Sequence, residues 1–193
     1  MIYLVTSKLV CTLVVCFLLN PNRLKAQRTD GEKNVNSVTK ITFLEPGLAQ
    51  EIAIGNSTTI MLRAGLTATL AVDEYDDEIT GLLPRIFGSS SLRTYYNFKK
   101  RNEQEKNTTN NSANYVGLLA LYSTKPLTKR TDYDLDLNNP ILNLGIVWGM
   151  QRNYPSGFSL DLNIGPGYAR AGNVISNFAV VGEFTLGWRL GKN

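Results

Sequence analysis

The chain has 193 residues, 20 basic and 16 acidic side chains, a formal net charge of +4 and no histidine. Without histidine, catalytic triads built on that base are excluded and the commonest metal ligand is missing. Lys8, Arg23 and Lys25 lie in a predicted export signal, which leaves 17 of the 20 bases against 16 acids in the mature chain. A nearly neutral chain is not an electrostatic binder of nucleic acid.

The N-terminus has the order of features found in an export signal. Lys8 precedes an apolar run from Leu9 to Leu19, and polar residues follow that run. The run is about half of the roughly 20 residues that a membrane-spanning helix needs, so a signal peptide is favoured over a retained anchor. We predict a signal peptide over residues 1–27, cleaved near Ala26 or Gln27.

The mature chain then begins with a polar segment, residues 28–38, followed by a strand-rich domain over residues 39–193. Alternation of apolar and polar residues marks the strands. In the clearest segment, Thr59–Val72, the even-numbered positions are all apolar, whereas the odd-numbered ones include threonine, arginine and glycine. This segment is long enough to cross a bilayer, which takes roughly 9 to 11 residues. The same alternation predicts strands over Thr39–Ile54, Leu83–Phe98, Tyr115–Thr124, Leu142–Met150, Phe158–Tyr168 and Phe178–Leu190.

The sequence shows one strand segment fewer than the smallest bacterial barrels contain. Seven are visible, whereas bacterial single-chain barrels have an even number of strands, from eight upward. The eighth strand must come from the polar stretch before Thr39 or from a long segment, since Glu45, Pro46 and Gly47 interrupt the first one. We therefore predict an all-β fold: an antiparallel, up-and-down transmembrane β-barrel of about eight strands behind an N-terminal signal peptide.

The breaks between the segments are predicted to alternate between the two ends of the barrel. At one end we place the breaks Gly55–Ser57, Lys99–Ser112 and Asn153–Gly157. At the other end we place Asp73–Gly81, Ser123–Asn139 and Arg170–Ser176. Membrane barrels have short periplasmic turns and longer outer loops. The break at Lys99–Ser112 is long for its end, so the orientation stays open.

The polar face of the strands indicates which face meets the solvent. A period of two fits a soluble barrel with an apolar core as well as a membrane barrel. In a soluble sheet, long solvated side chains should dominate the polar face, and glycine should be rare. Here that face carries glycines that suit a crowded barrel interior, namely Gly65, Gly145, Gly149, Gly165, Gly167 and Gly187. We therefore predict that the apolar face meets lipid, and the alternative is a secreted soluble β-barrel that binds a small apolar ligand.

Charges of both signs share the polar face and can pair inside the barrel, which avoids unpaired buried charge. The predicted interior charge network comprises Glu45, Glu51, Arg63, Arg93, Lys99, Asp161, Glu183 and Arg189. Tyr95 and Asn97 follow Arg93 along one segment and are a possible polar binding site at the barrel end, with a structural interior role favoured. Tyr168 and Trp188 are candidates for an aromatic belt at the membrane surface.

No catalytic or metal site is predicted. Both cysteines lie in the signal peptide, so the mature chain has no thiol. The acidic run over residues 73–78 is interpreted as a solvated loop. Asp132, Asp134 and Asp136 have the spacing of a calcium loop but lack its glycine and closing glutamate. We expect no cofactor and no enzymatic activity.

Two stretches carry a resemblance to a known group of proteins. Ser91–Leu119 contains an arginine, a tyrosine pair, an asparagine and a basic cluster, and Val147–Tyr168 reads VWGMQRNYPSGFSLDLNIGPGY. Together with the Ala26, Gln27 ending of the signal, these stretches resemble small outer-membrane β-barrel proteins of Bacteroidetes-type bacteria. The resemblance implies an outer-membrane barrel and brings no chemistry or ligand with it.

The sequence thus predicts a small protein of a Gram-negative outer membrane, with a filled interior and a structural or surface-interaction role. Its expected partners are outer-membrane lipid and, during insertion, the barrel-assembly machinery, and nucleic acid is not among them. A narrow outer-membrane channel is a second alternative, although eight strands leave little open space once their inward side chains are placed.

Overall fold

The computed structural model describes residues 35–72, 79–128, 138–172 and 174–191. The signal peptide predicted over 1–27, the acidic run over 73–78 and the aspartates at 132–136 lie outside the described residues. None of the helices within the described ranges is long and apolar enough to cross a membrane. A short helix, α1, spans Phe98–Glu103. The described residues form eight strands, β1 (Val38–Thr42), β2 (Gly47–Ala53), β3 (Thr58–Val72), β4 (Ile79–Tyr95), β5 (Asn114–Ser123), β6 (Ile141–Asn153), β7 (Phe158–Ala171) and β8 (Val174–Leu190).

The sheet closes on itself. Each strand pairs antiparallel with the next one along the chain, and β1 pairs with β8. In that closing pair Thr39 lies opposite Leu190 and Thr42 lies opposite Gly187. A closed sheet has no edge strand with unpaired backbone groups. The predicted all-β fold, an antiparallel up-and-down barrel of eight strands, is confirmed.

The eighth strand comes from the first predicted segment, Thr39–Ile54, which folds as the hairpin of β1 and β2. Residues 43–46 form its turn, at the interruption seen in the sequence. Directly opposite residues share a face of a sheet, and Lys40 lies opposite Ala49 across this hairpin. An even-numbered position therefore shares a face with an odd-numbered one. Even-numbered residues point inward in β1, whereas odd-numbered residues do so through most of β2–β8.

The two faces of the barrel differ in chemistry because successive side chains of a strand point to opposite faces. Glu51, Arg85 and Gln151 point inward and are fully buried. The outward rows are apolar, and Ile146 is 64% exposed and Val180 72% exposed. Charged and amide groups thus fill much of the interior, while large apolar side chains cover the outside.

A cap, residues 96–113, closes one end of the barrel and joins β4 to β5. Phe98 of α1 packs on Tyr95, with ring centroids 5.5 Å apart. Asn111 is fully buried; its Nδ2 donates to the Asn36 carbonyl at 2.8 Å, and its Oδ1 accepts from the Asn36 backbone N–H at 2.7 Å. The cap therefore ties the start of the described chain to the end of β4. We call this end of the barrel the capped end.

The interior glycines make room for larger neighbours, as Gly149 illustrates. Gly149 of β6 lies directly opposite Tyr115 of β5. A Cβ atom at position 149 would overlap the Tyr115 ring, which is fully buried. The absence of a side chain at this position is therefore required for the ring to lie flat against the barrel wall.

Gly149→Ala is expected to lower the free energy of unfolding by about 1 to 3 kcal/mol, the usual effect of overpacking a core. Gly88→Ala is the control, because an added methyl group there would meet only the Arg63 carbonyl oxygen, at 3.8 Å. Alanine in place of a strand glycine is otherwise neutral or stabilising. Reversible urea unfolding of the refolded proteins measures both effects. Equal free energies of unfolding for the two variants would contradict this packing.

Candidate functional site

Glu51 of β2 gathers side chains from four other strands. Its Oε1 accepts a hydrogen bond from the Tyr95 hydroxyl at 2.6 Å and another from the Thr59 hydroxyl at 2.9 Å. Its Oε2 accepts from Gln151 Nε2 at 2.9 Å and lies 3.9 Å from Lys40 Nζ. The carboxylate is fully shielded from solvent, so these four groups take the place of water around it.

Arg93 of β4 forms the second centre, next to Glu51. Its Nη1 donates to Asp161 Oδ2 at 2.5 Å and to Gln151 Oε1 at 3.1 Å. The guanidinium carbon lies 4.5 Å from the centroid of the Tyr115 ring, a cation–π contact. The Tyr115 hydroxyl in turn donates to Asp161 Oδ1 at 2.7 Å. Gln151 therefore joins the two centres by bonding Arg93 through its oxygen and Glu51 through its nitrogen.

Arg63 of β3 forms the third centre, further from the capped end. It donates to Glu183 Oε1 at 2.6 Å and to Glu45 Oε2 at 2.9 Å. Asn163 Nδ2 lies 3.4 Å from Glu183 Oε2 and 3.3 Å from the Tyr115 hydroxyl, which connects the second and third centres. Together these contacts form one continuous chain, the interior network, which consists of Lys40, Glu45, Glu51, Thr59, Arg63, Arg93, Tyr95, Tyr115, Gln151, Asp161, Asn163 and Glu183.

The interior network pairs its buried charges. Every strand contributes at least one member, and each of its four carboxylates contacts two or more donors. Three cations lie among those four acids. Removing one partner of such a buried pair typically destabilises a protein by about 3 to 5 kcal/mol. The network therefore resists any change in the register of the strands that supply it.

Most of the charged residues predicted for the interior meet there. The structure brings together Glu45, Glu51, Arg63, Arg93, Asp161 and Glu183. Lys99 was assigned to the interior wrongly: β4 ends at Tyr95, and Lys99 lies exposed on α1 of the cap. The odd number of Lys99 matches the inward row of β4, but the alternation of a strand does not continue into a helix. The prediction extended the alternation too far and was therefore wrong at this position.

The remaining predicted residues lie apart from one another. Arg189 lies opposite Lys40 on the inner row of β8, at the edge of the network. Tyr95 belongs to the interior, whereas Asn97 lies in the cap, where its Oδ1 accepts a hydrogen bond from the Asn114 backbone N–H at 2.8 Å. The possible polar site of Tyr95 and Asn97 is therefore not formed as one site.

Sequence reasoning missed five members of the network, Lys40, Thr59, Tyr115, Gln151 and Asn163. For Gln151 and Asn163 a signal existed, because both have the odd-numbered parity of the inward rows. Gln151 lies one residue beyond the predicted end of its segment. Lys40 carried no such signal, since its even number places it outside unless the β1–β2 turn is known.

Neither the family models, nor the curated proteins, nor the solved structures with which the chain was compared gave a match. Among the described residues, no group of three or more cysteine, aspartate, glutamate or histidine side chains is placed to hold a metal ion.

Arg63→Ala and Glu183→Ala are each expected to lower the free energy of unfolding by about 3 to 5 kcal/mol, because each leaves a buried charge without its partner. The double variant should lose less than the sum, with a coupling energy of about 0.5 to 3 kcal/mol. Reversible unfolding of the refolded proteins measures all three. Arg170→Ala is the control: this exposed arginine donates to the Gly172 carbonyl at 3.0 Å, and its loss should change stability by less than about 0.5 kcal/mol. Additive effects of the two interior variants would argue against direct pairing.

Proposed function

We propose that the chain is a small outer-membrane β-barrel protein of a Gram-negative bacterium, with a structural or surface-interaction role, a filled interior and no catalytic activity. The observation that carries this proposal is the inverted distribution of its side chains. Charged groups lie inside the barrel, and large apolar groups lie outside. Lipid is the solvent in which that distribution is stable.

The outward rows contain almost no charge. Over the described strand residues, the charged side chains that point outward are Arg152 and Arg170, which lie near opposite ends of the barrel. Soluble monomers seldom expose contiguous apolar patches larger than a few hundred square ångströms. Here exposed apolar side chains occur on every strand and include Ile41, Leu48, Leu66, Ile86, Leu92, Leu118, Ile146, Ile164, Phe178, Val180 and Phe184.

The height of the apolar rows fits a membrane. At about 3.3 Å per residue and a tilt of about 40°, the row from Leu142 to Met150 spans roughly 20 Å along the barrel axis and the row from Phe178 to Leu190 roughly 30 Å. The apolar band of outer-membrane barrels is about 25 Å tall. Exposed aromatic side chains accompany both ends of the band, with Tyr96, Tyr154 and Trp188 near the capped end and Phe43, Tyr122 and Phe178 towards the other.

The interior argues against both alternatives. A soluble barrel that carries an apolar ligand would need an apolar cavity, whereas this interior holds ion pairs whose members come from six of the eight strands. A channel would need a continuous aqueous path, whereas Glu51, Arg93 and Tyr115 are almost completely shielded from solvent and the cap covers one end. The predicted partners, outer-membrane lipid and the barrel-assembly machinery, follow from the proposal together with the predicted signal peptide.

Ile146→Arg is expected to lower the free energy of unfolding from liposomes by about 2 to 4 kcal/mol, because it puts a charge near the middle of the apolar band. Leu127→Arg is the matched control, since Leu127 is 57% exposed in the loop beyond β5 and outside the band. Near an interface the same change costs about 0 to 1 kcal/mol. Equal tolerance of both changes, with the parent recovered as soluble protein after alkaline carbonate washing, would refute the membrane assignment.

Refolded protein is expected to give no stable conductance steps in planar bilayers, because the interior network fills the lumen. A sixteen-stranded porin, whose barrel leaves an aqueous channel, is the positive control in the same lipid. Reproducible steps of nanosiemens size from the purified parent would favour the channel alternative.

A further inference from the structure

A basic pocket lies on the outside of the barrel at the capped end, between the cap and the ends of β4, β5 and β6. Its volume is about 350 Å³. Tyr96 forms part of its wall, and four cationic side chains line it, namely Lys100, Arg101, Lys106 and Arg152. No carboxylate is among the residues that line it.

The charge in this pocket is not balanced as the interior charge is. Arg152 donates to the Gln151 carbonyl and to Asn114 Oδ1, both at 2.7 Å. Arg101 donates to the Asn107 carbonyl at 2.8 Å, and Lys106 donates to a neutral amide oxygen at 2.9 Å. Within the described structure these cations therefore meet neutral oxygens, whereas Arg63 and Arg93 inside the barrel meet carboxylates. The lining of the pocket is therefore positively charged, with no lining carboxylate to balance it.

The pocket borders the apolar band. The Tyr96 hydroxyl accepts a hydrogen bond from Trp148 Nε1 at 2.7 Å, and both side chains are exposed. Arg152 ends the outward row of β6 that contains Ile146, Trp148 and Met150. In the proposed membrane orientation this row leaves the hydrocarbon at Arg152. The pocket then lies at the level of the lipid head groups, where Trp and Tyr side chains are enriched.

An apolar groove runs below the pocket on the same three strands and reaches Ile60 of β3. Its volume is about 650 Å³, and its outer wall includes Leu92, Leu118, Leu144 and Ile146. One outward row, with Val116 next to Trp148, separates the groove from the pocket. An anionic phospholipid likewise carries a charged phosphate next to a hydrocarbon chain. Its phosphate matches the basic pocket and its acyl chain matches the apolar groove.

We propose that the basic pocket and the apolar groove together bind one anionic phospholipid, with its phosphate among the four cations and an acyl chain in the groove. This inference rests on the proposed membrane function. Arginine suits the phosphate because its planar group donates two parallel hydrogen bonds.

The test uses Trp148 as a reporter in the full mature chain, in a Trp188→Phe background. Trp148 is then the single tryptophan, since the chain contains two. The protein is refolded into phosphatidylcholine liposomes that contain either brominated phosphatidylglycerol or brominated phosphatidylcholine, because bromine quenches nearby tryptophan. Brominated phosphatidylglycerol should quench at a mole fraction roughly fivefold or more below that needed for brominated phosphatidylcholine.

Removing the pocket's two arginines, the side chains that can donate paired hydrogen bonds to a phosphate, should abolish this preference. In Arg101→Gln/Arg152→Gln the two brominated lipids should quench equally. Lys99→Gln and Arg170→Gln are the controls, because each removes one exposed charge outside the pocket, and each should keep the preference. Loss of the preference in either control, or its persistence in the double variant, would overturn the proposal and indicate general attraction to anionic lipid.

Two further outcomes separate the sources of failure. Inorganic phosphate should weaken the preference more than sodium chloride does at the same ionic strength, because it competes with the lipid phosphate for the same cations. Equal effects of the two salts would overturn the phosphate site and indicate general attraction to anionic lipid. If neither brominated lipid quenches Trp148, the barrel is not in the bilayer, and the proposed membrane function fails with it. Equal quenching by both lipids in the parent would overturn the lipid site alone.

Discussion

Burying ionised side chains in pairs is the requirement on which this barrel depends. An unpaired ion inside a protein is destabilised by several kcal/mol, so each interior charge must meet a partner. Arg63 and Glu183, 2.6 Å apart, are separated by 120 residues along the chain, and Arg93 and Asp161 by 68. Such contacts form only when the ring of strands has closed in one register. Backbone hydrogen bonds alone allow paired strands to shift in register. The contacts of the network fix one register, because each charge meets its partner only there.

The chemistry of the outer face follows from that of the interior. A strand points alternate side chains to opposite faces, so a sequence that sends its charges inward must send its apolar residues outward. The resulting surface, with side chains such as Ile146 and Phe178 largely exposed, is unfavourable in water and favourable in hydrocarbon. The proposed lipid environment accounts for both the apolar outside and the charged inside.

The cap has two roles that depend on opposite sides of the same segment. Its inner side packs Phe98 on Tyr95 and buries Asn111 against the start of the described chain, which seals the network from solvent. Its outer side carries Lys100, Arg101 and Lys106 next to Arg152. A segment that is longer than a tight turn can provide both surfaces, which gives a physical reason for the length of this connection.

Local alternation was enough to predict seven strand segments and the inward position of Glu51, Arg63, Arg93, Asp161 and Glu183, because both follow from the period of a strand. The eighth strand was expected only from the even strand number of bacterial membrane barrels. Tertiary structure decided the rest. The four-residue turn at 43–46 made one predicted segment into two strands and reversed the parity of β1, so Lys40 faces inward. The end of β4 at Tyr95 placed Lys99 on the cap. The partner of each buried charge depends on how the ring closes, and no local pattern carries that information.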